Sequence, residues 1–156
     1  MGRIIAIANQ KGGVGKTTTA INLSACLAES GQKVLTVDFD PQGNATSGLG
    51  IEKGEIDKTV YDLLVGECDN EECLISNMQE NLDLLPSNVD LAGAEIELLE
   101  IENKESLLKT YLSKIQNNYD FIIIDCPPSL NLLTINALTA ANTVLVPIQC
   151  EYCLLY

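Results

Sequence analysis

Residues 11–18 read Lys11-Gly12-Gly13-Val14-Gly15-Lys16-Thr17-Thr18, a glycine-rich loop between an isoleucine-rich run and an amphipathic helical pattern. The usual phosphate-binding loop is G-x-x-x-x-G-K-[ST]. Aligned on its Gly-Lys-Thr end, that pattern needs a glycine where this chain has Gln10. The loop is therefore a variant. Glycines let backbone N–H groups turn towards phosphates, and the first helical turn adds the positive end of its dipole. The variant loop predicts binding of ATP-type phosphates with Mg²⁺.

Carboxylates at the ends of two predicted strands extend this site. We expect Lys16 to reach the β- and γ-phosphates and the Thr17 hydroxyl to bind Mg²⁺. An isoleucine-rich strand ends at Asp125, which is predicted to hold the metal through water. Asp38 and Asp40 follow another strand. One of them could support the magnesium shell while the other orients the attacking water, and the alternative for this pair is a solvated turn.

Apolar strands alternate with helical patterns along the chain, which predicts an α/β fold: a P-loop NTPase domain with a mostly parallel sheet and helices on both faces. One domain is expected over residues 1–156. The expected strands are 3–9, 34–38, 82–85, 121–125 and 143–148. The expected helices are 17–30, 59–65, 91–116 with a break near Asn103, and 131–140. Residues 39–50 are expected to form a loop and 67–79 a further short helix.

Composition narrows the chemistry. The net charge is −13, with one arginine and no histidine, so non-specific nucleic-acid binding by this chain alone is not expected. No run is long and apolar enough for a membrane span and no signal peptide is recognisable, so we expect a cytoplasmic chain with reduced thiols. Among six cysteines, Cys26 is expected to be a small buried hydrophobe. The C-x-x-C at Cys150 and Cys153 is weak support for zinc.

Four motifs in order resemble the ParA/Soj family of deviant Walker A partition ATPases, within the ParA/MinD superfamily. They are KGGVGKTTT at 11–19, VDFDPQGNAT at 37–46, FIIIDCPPSL at 121–130 and VLVPIQCEY at 144–152. The resemblance runs from Arg3 to Tyr152, nearly the whole chain. It implies an ATPase of chromosome or plasmid partitioning that hydrolyses Mg-ATP in a nucleotide-sandwich dimer.

The resemblance also implies residue roles. Lys11 would cross the dimer to touch the partner's phosphates, and Lys16 would bind phosphate within its own subunit. Asp40 would position the hydrolytic water. The loops 40–47 and 125–129 would sense the γ-phosphate. The implied magnesium ligands, direct or through water, are Thr17, Asp38 and Asp125.

The implied partners are a second copy of the chain in the presence of ATP, a centromere-binding ParB-type protein and DNA, with no membrane. Full-length relatives would associate with the nucleoid. Family members continue beyond the last motif, so we expect the C-terminal strands, the adenine pocket and the DNA-binding surface to be missing here. The strand at 143–148 would then lie at an open sheet edge beside the strand before the phosphate loop, and such an edge favours association.

Three alternatives remain open. A truncated, non-catalytic remnant would bind nucleotide or a partner subunit without turnover. A MinD-like cell-division-site ATPase would share the phosphate loop but not the Asp40-Pro41-Gln42-Gly43-Asn44 motif. A nitrogenase iron protein would need cysteines in glycine-rich loops, whereas Cys126 and Cys150 lie beside Pro-Pro and Gln.

Overall fold

The computed structural model describes residues 2–69 and 72–150. The strands are β1 (Arg3–Ile7), β2 (Val34–Asp38), β3 (Ile75–Gln79), β4 (Leu82–Leu85), β5 (Phe121–Asp125) and β6 (Thr143–Leu145). The helices are α1 (Lys16–Glu29), α2 (Asn44–Gly48), α3 (Val60–Val65), α4 (Leu91–Glu97), α5 (Leu107–Ile115) and α6 (Leu132–Ala140). Short 3₁₀ turns connect several of them.

The strands form one sheet in the order β3-β4-β2-β5-β1-β6. All pairs are parallel except β3 with β4. The predicted mostly parallel sheet is therefore confirmed. Parallel strands place their carboxyl ends at one edge, where ligands bind in folds of this class. β6 lies at the outer edge of the described sheet beside β1, as expected.

Helices cover both faces of the sheet. Along β5, Ile122 and Ile124 pack into the larger hydrophobic cluster, with α3 to α6. Ile123 points the other way, into a smaller cluster with Ala20 and Ala28 of α1. Successive strand side chains face opposite sides, so a strand that is apolar at every position must be covered twice. This pattern confirms the predicted helices on both faces.

Three local expectations need correction or refinement, and a fourth is confirmed. The predicted short helix in 67–79 is wrong, because Ile75–Gln79 forms the antiparallel edge strand β3. The predicted loop 39–50 contains the short helix α2. The predicted last strand ends at Leu145 rather than at residue 148. The break in the long helical region is confirmed, since Asn103 has φ 57°, in the left-handed region.

Two cysteine expectations also fail. Cys26 is exposed on α1 rather than buried. Reduced thiols were expected throughout, yet Cys68 and Cys73 are disulfide-bonded. Cys150 is exposed, and Cys153, the other half of the C-x-x-C, lies outside the described residues. In the ranges 2–69 and 72–150, none of the helices has the length and apolar character to span a bilayer.

Candidate nucleotide-binding site

A cavity of about 370 Å³ opens at the carboxyl edge of the sheet, where the loop after β1 meets the loops after β2 and β5. Its volume lies in the usual range for small-molecule sites. Its lining residues are Gly12, Gly13, Gly15, Lys16, Thr17, Thr18, Asp40, Gln42, Asn44 and Pro128. The structure thus brings together the predicted phosphate loop and Asp40, which are 22 or more positions apart in sequence.

The backbone of the loop requires glycine at two positions. Gly13 and Gly15 have φ of 71° and 88°, in the left-handed region that other residues rarely adopt. A Cβ added at Gly12, Gly13 or Gly15 would meet open space. Gly15 caps α1 without a side-chain hydrogen bond, so the first N–H groups of that helix remain available to an anion. The loop is shaped as a cradle for phosphate.

Lys16 supplies a buried positive charge to this cradle. Its side chain is only 7% exposed, and its Nζ donates to the Lys11 carbonyl oxygen at 3.2 Å. Among the described residues, no carboxylate lies within 4.0 Å of that ammonium group. A buried cation with only neutral partners is costly unless an anion joins it. The arrangement favours a phosphate ligand at Lys16.

Asp125 provides the clearest sign of a metal site. Both carboxyl oxygens are fully buried, and neither accepts a hydrogen bond from the described part of the chain. Burial raises the pKa of Asp125 to about 7, with Asp38 and Asp40 adding to the rise. The Thr17 hydroxyl lies close enough to the carboxylate to lower this pKa, although its geometry falls short of a hydrogen bond, and the Lys16 ammonium lowers the pKa as well. Two unpartnered buried oxygens beside a hydroxyl fit a divalent cation.

The protein offers few ligands of its own for that cation. Within residues 2–69 and 72–150, no group of three or more acidic, cysteine or histidine side chains is placed to hold a metal. Mg²⁺ usually keeps several waters and binds through one or two carboxylates together with substrate phosphates. The donors present, Asp125 and Thr17, therefore fit a magnesium ion that arrives with a nucleotide.

Asp38 is equally buried but already engaged. Its Oδ2 accepts hydrogen bonds from Thr46 N and Thr46 Oγ1, each at 2.7 Å, and its Oδ1 accepts one from Asp40 N at 3.2 Å. Burial raises the pKa of Asp38, while the Thr46 bonds lower it. Neither Asp38 nor Asp125 is among the residues that line the cavity, so the two differ in their hydrogen-bond partners and not in their distance from the cavity lining. The structure places Asp38 as the anchor of the loop that carries Asp40.

Thr46 and Ser87 complete this anchor; the sequence placed Thr46 only within the loop 40–47 and gave Ser87 no role. Ser87 N donates to Thr46 Oγ1 at 3.0 Å, and Ser87 Oγ donates to the Asp40 carbonyl oxygen at 2.9 Å. All three residues are buried. Ser87 comes just after β4, at the same sheet edge as the other strand ends. Its position directly after a buried strand is the one sequence feature that could have predicted a place for Ser87 at this site.

Asp40 and Lys11 are held differently. Asp40 is 7% exposed, and its Oδ1 accepts a hydrogen bond from Gln42 N at 2.9 Å. Its other carboxyl oxygen, Oδ2, takes no part in this bond. Lys11 is exposed and does not line the cavity, while its backbone N–H donates to Asn9 Oδ1 at 2.9 Å. The structure therefore brings Asp40 into the site and leaves the Lys11 side chain outside it.

The sequence of this chain is similar to those of known proteins. A family model described as an AAA domain matches residues 2–156. The sporulation initiation inhibitor protein Soj of Bacillus subtilis is 60% identical over 152 residues, 97% of this chain and 60% of that protein. The chromosome-partitioning ATPase Soj of Treponema pallidum is 53% identical, over 97% of this chain and 59% of that protein.

A solved structure extends the likeness to the fold. Cobyrinic acid a,c-diamide synthase from Mycobacterium smegmatis, with bound ATP analog and magnesium, has a TM-score of 0.94 and 47% identity. The match covers 97% of this chain and 62% of that one. The chain thus spans about three fifths of the length of the proteins that it matches.

Proposed function

We propose, from the premise that this chain belongs to the AAA domain family matched over residues 2–156, that it is the nucleotide-binding part of a partition ATPase. The resemblance to the ParA/Soj family is confirmed, since relatives called Soj are 53–60% identical over 97% of the chain. The proposed activity is Mg-ATP hydrolysis in a dimer, in the service of chromosome or plasmid partitioning.

The observation that carries the proposal is the pair of unpartnered Asp125 oxygens beside the glycine cradle. The Lys16 ammonium binds the β- and γ-phosphates, and the backbone N–H groups of the loop donate hydrogen bonds to the oxygens of these phosphates. Thr17 and Asp125 would hold Mg²⁺. When bound, the metal neutralises charge that develops on the phosphates.

In this proposal, Asp40 positions the water molecule that attacks the terminal phosphate. Its backbone is fixed by Ser87 and Asp38, and its side chain lines the cavity next to the loop. A carboxylate fixed in this way can orient a water molecule towards a terminal phosphate. Asp38 supports the magnesium shell only indirectly, by holding the loop of Asp40 in place.

Partners follow from the same family membership. The exposed Lys11 side chain is free to reach the phosphates of a second copy across an ATP-dependent homodimer. A centromere-binding ParB-type protein and DNA are the proposed partners of the whole protein, which would act in the cytoplasm at the nucleoid. A membrane partner is not proposed.

A second candidate is supported by the lining of the cavity. Apart from Pro128, it consists of glycines, polar residues and charged residues, which suit phosphates and not an adenine ring. In this second candidate, residues 1–156 hold the phosphates and metal without gripping the adenine ring, and bind nucleotide with little turnover. Measuring phosphate release with and without DNA and a ParB-type protein distinguishes this remnant from an active ATPase.

The binding site itself is tested by calorimetry with ATP and Mg²⁺. Lys16→Ala removes the buried cation and should weaken binding at least tenfold, or about 1.4 kcal/mol. Lys33→Ala, at an exposed lysine away from the cavity, is the matched control and should leave the affinity unchanged. Equal affinity in the wild type and Lys16→Ala would contradict the proposed phosphate site.

A further inference from the structure

The connection between α3 and β3 brings two cysteines together. Cys68 follows α3 and Cys73 precedes β3, with their Cα atoms 6.6 Å apart and their sulfur atoms bonded. That separation lies within the range that disulfides require. Glu72 N donates to the Asp69 carbonyl oxygen at 3.2 Å, and Asp69 N donates to Glu72 Oε2 at 3.3 Å. These two contacts between Asp69 and Glu72 lie between the cysteines in the chain and hold Asp69 and Glu72 close to each other.

The two sulfurs differ in accessibility. Cys73 is 1% exposed and belongs to the larger core cluster. Cys68 is half-buried and packs at the margin of the same cluster. A reagent in solution therefore reaches Cys68 first, and Cys73 can react only with a sulfur already beside it.

The surroundings of Cys68 are acidic. The exposed residues Glu67 and Asp69 flank it in the chain, and the exposed Glu72 closes the turn. In residues 2–69 and 72–150, the only ion pair joins Asp62 to a lysine. The three carboxylates around Cys68 therefore have no ion-pair partner that would neutralise their charge. A field of this sign attracts cationic reagents and repels anionic ones, and salt screens both effects.

From these observations we propose that Cys68 and Cys73 form a reversible thiol–disulfide site for small disulfides, with Cys68 as the attacking sulfur and Cys73 as the resolving sulfur. The Cys68 thiolate attacks one sulfur of the external disulfide, which forms a mixed disulfide and releases one thiol. The Cys73 thiolate then attacks Cys68 Sγ and releases the second thiol. Both cysteines lose a proton and together lose two electrons, which the external disulfide takes up.

Closing this bond fastens the edge of the sheet. β3 pairs only with β4 in the described sheet, and the bond ties its start to the end of α3. A disulfide that closes a loop this short restricts the unfolded chain and should raise the melting temperature by about 5 °C. The proposal does not depend on nucleotide binding, so failure of either proposal leaves the other standing.

The test starts from the fully reduced chain. It is treated with cystamine, a cationic disulfide, or with oxidised glutathione, an anionic one, and the products are alkylated and mapped by mass spectrometry. We expect one intramolecular bond between Cys68 and Cys73, formed at least threefold faster with cystamine at low salt. The melting temperature should rise by about 5 °C and fall back after reduction. Equal rates, or no rise, would overturn the proposal.

Single variants test the order of attack. Cys73→Ala should stop at a stable mixed disulfide on Cys68, whereas Cys68→Ala should leave Cys73 unmodified for as long as the chain stays folded by circular dichroism. Cys26→Ser removes an exposed thiol elsewhere and should change neither the bond nor the melting shift. If Cys73 in Cys68→Ala reacts as fast as Cys68 in Cys73→Ala, the assigned roles are wrong.

Discussion

Asp38 and Asp125 lie side by side, at the ends of β2 and β5, and are partners in the register of the sheet. Both are 0% exposed, and burial raises the pKa of each. Yet both oxygens of Asp38 accept hydrogen bonds, from Thr46 and Asp40, whereas neither oxygen of Asp125 accepts one from the described residues.

The difference shows that burial alone does not identify a functional carboxylate. A buried carboxylate whose oxygens are all partnered stabilises the fold, because its bonds replace those that it made to water. A buried carboxylate without partners costs free energy until a proton or a cation joins it. Asp38 therefore organises the loop of Asp40, and Asp125 is left ready for a metal.

The largest expected effect is on the pH dependence of stability in metal-free buffer. The pKa of Asp125 is about 7 in the folded chain and near 3.8 in the unfolded chain, so the folded chain binds the extra proton between these values. Its contribution is fully present below pH 4 and is lost as the pH rises to 7, by up to about 4 kcal/mol. Urea unfolding of the wild type and Asp125→Asn across this range measures the difference.

In that experiment, the wild type should lose stability relative to Asp125→Asn as the pH rises, and Mg-ATP should reduce the loss. Parallel curves for the two proteins would show that Asp125 titrates normally in the folded chain and would remove the basis of the comparison.

The next largest effect separates the two aspartates by substitution. Asp38→Asn turns one acceptor into a donor that faces N–H and O–H groups, so the free energy of unfolding at pH 7 should fall by about 3 kcal/mol. Asp125→Asn loses no hydrogen bond from the described residues and should be neutral or stabilising, while ATP binding should lose its magnesium dependence. Denaturant titration measures the first effect and calorimetry the second. A similar destabilisation in both variants would break the comparison.

A third prediction concerns the loop that Asp38 anchors, in a protein extended by the rest of the relatives' length. Asp40→Asn keeps the acceptor for Gln42 N but removes the charge that orients water, so turnover should fall about 100-fold with ATP binding retained. Phosphate release and calorimetry on the same samples check this. Turnover at the normal rate would mean that Asp40 has no part in positioning water.

The smallest expected effect concerns Ser87, which completes the anchor of the loop that carries Asp40. Ser87→Ala removes the hydroxyl that donates to the Asp40 carbonyl oxygen and should lower the free energy of unfolding by about 1 kcal/mol. The control is Ser76→Ala on the exposed side of β3, which should change stability by less than about 0.5 kcal/mol. If the two variants were equally stable, Ser87 would not hold the loop.

Local patterns predicted much of the fold. The apolar run that forms β5 and the helix that follows the phosphate loop were located within one or two residues. The edge strand β3 was missed because Ile75–Gln79 is mostly polar and exposed, and it becomes a strand through pairing with β4. Residues whose structure depends on a distant partner could not be predicted from their own neighbourhood.

The amino-acid sequence by itself determined the phosphate cradle. Gly13, Gly15 and Lys16 are set by the local backbone between a strand and a helix, so their spacing was sufficient to predict them. Only the tertiary structure decided which aspartate is satisfied, because Asp38 is partnered by Thr46, and Thr46 by Ser87, which is 41 positions further along. Such hydrogen bonds depend on how strands and loops pack, since no periodicity in the chain specifies which buried group meets which.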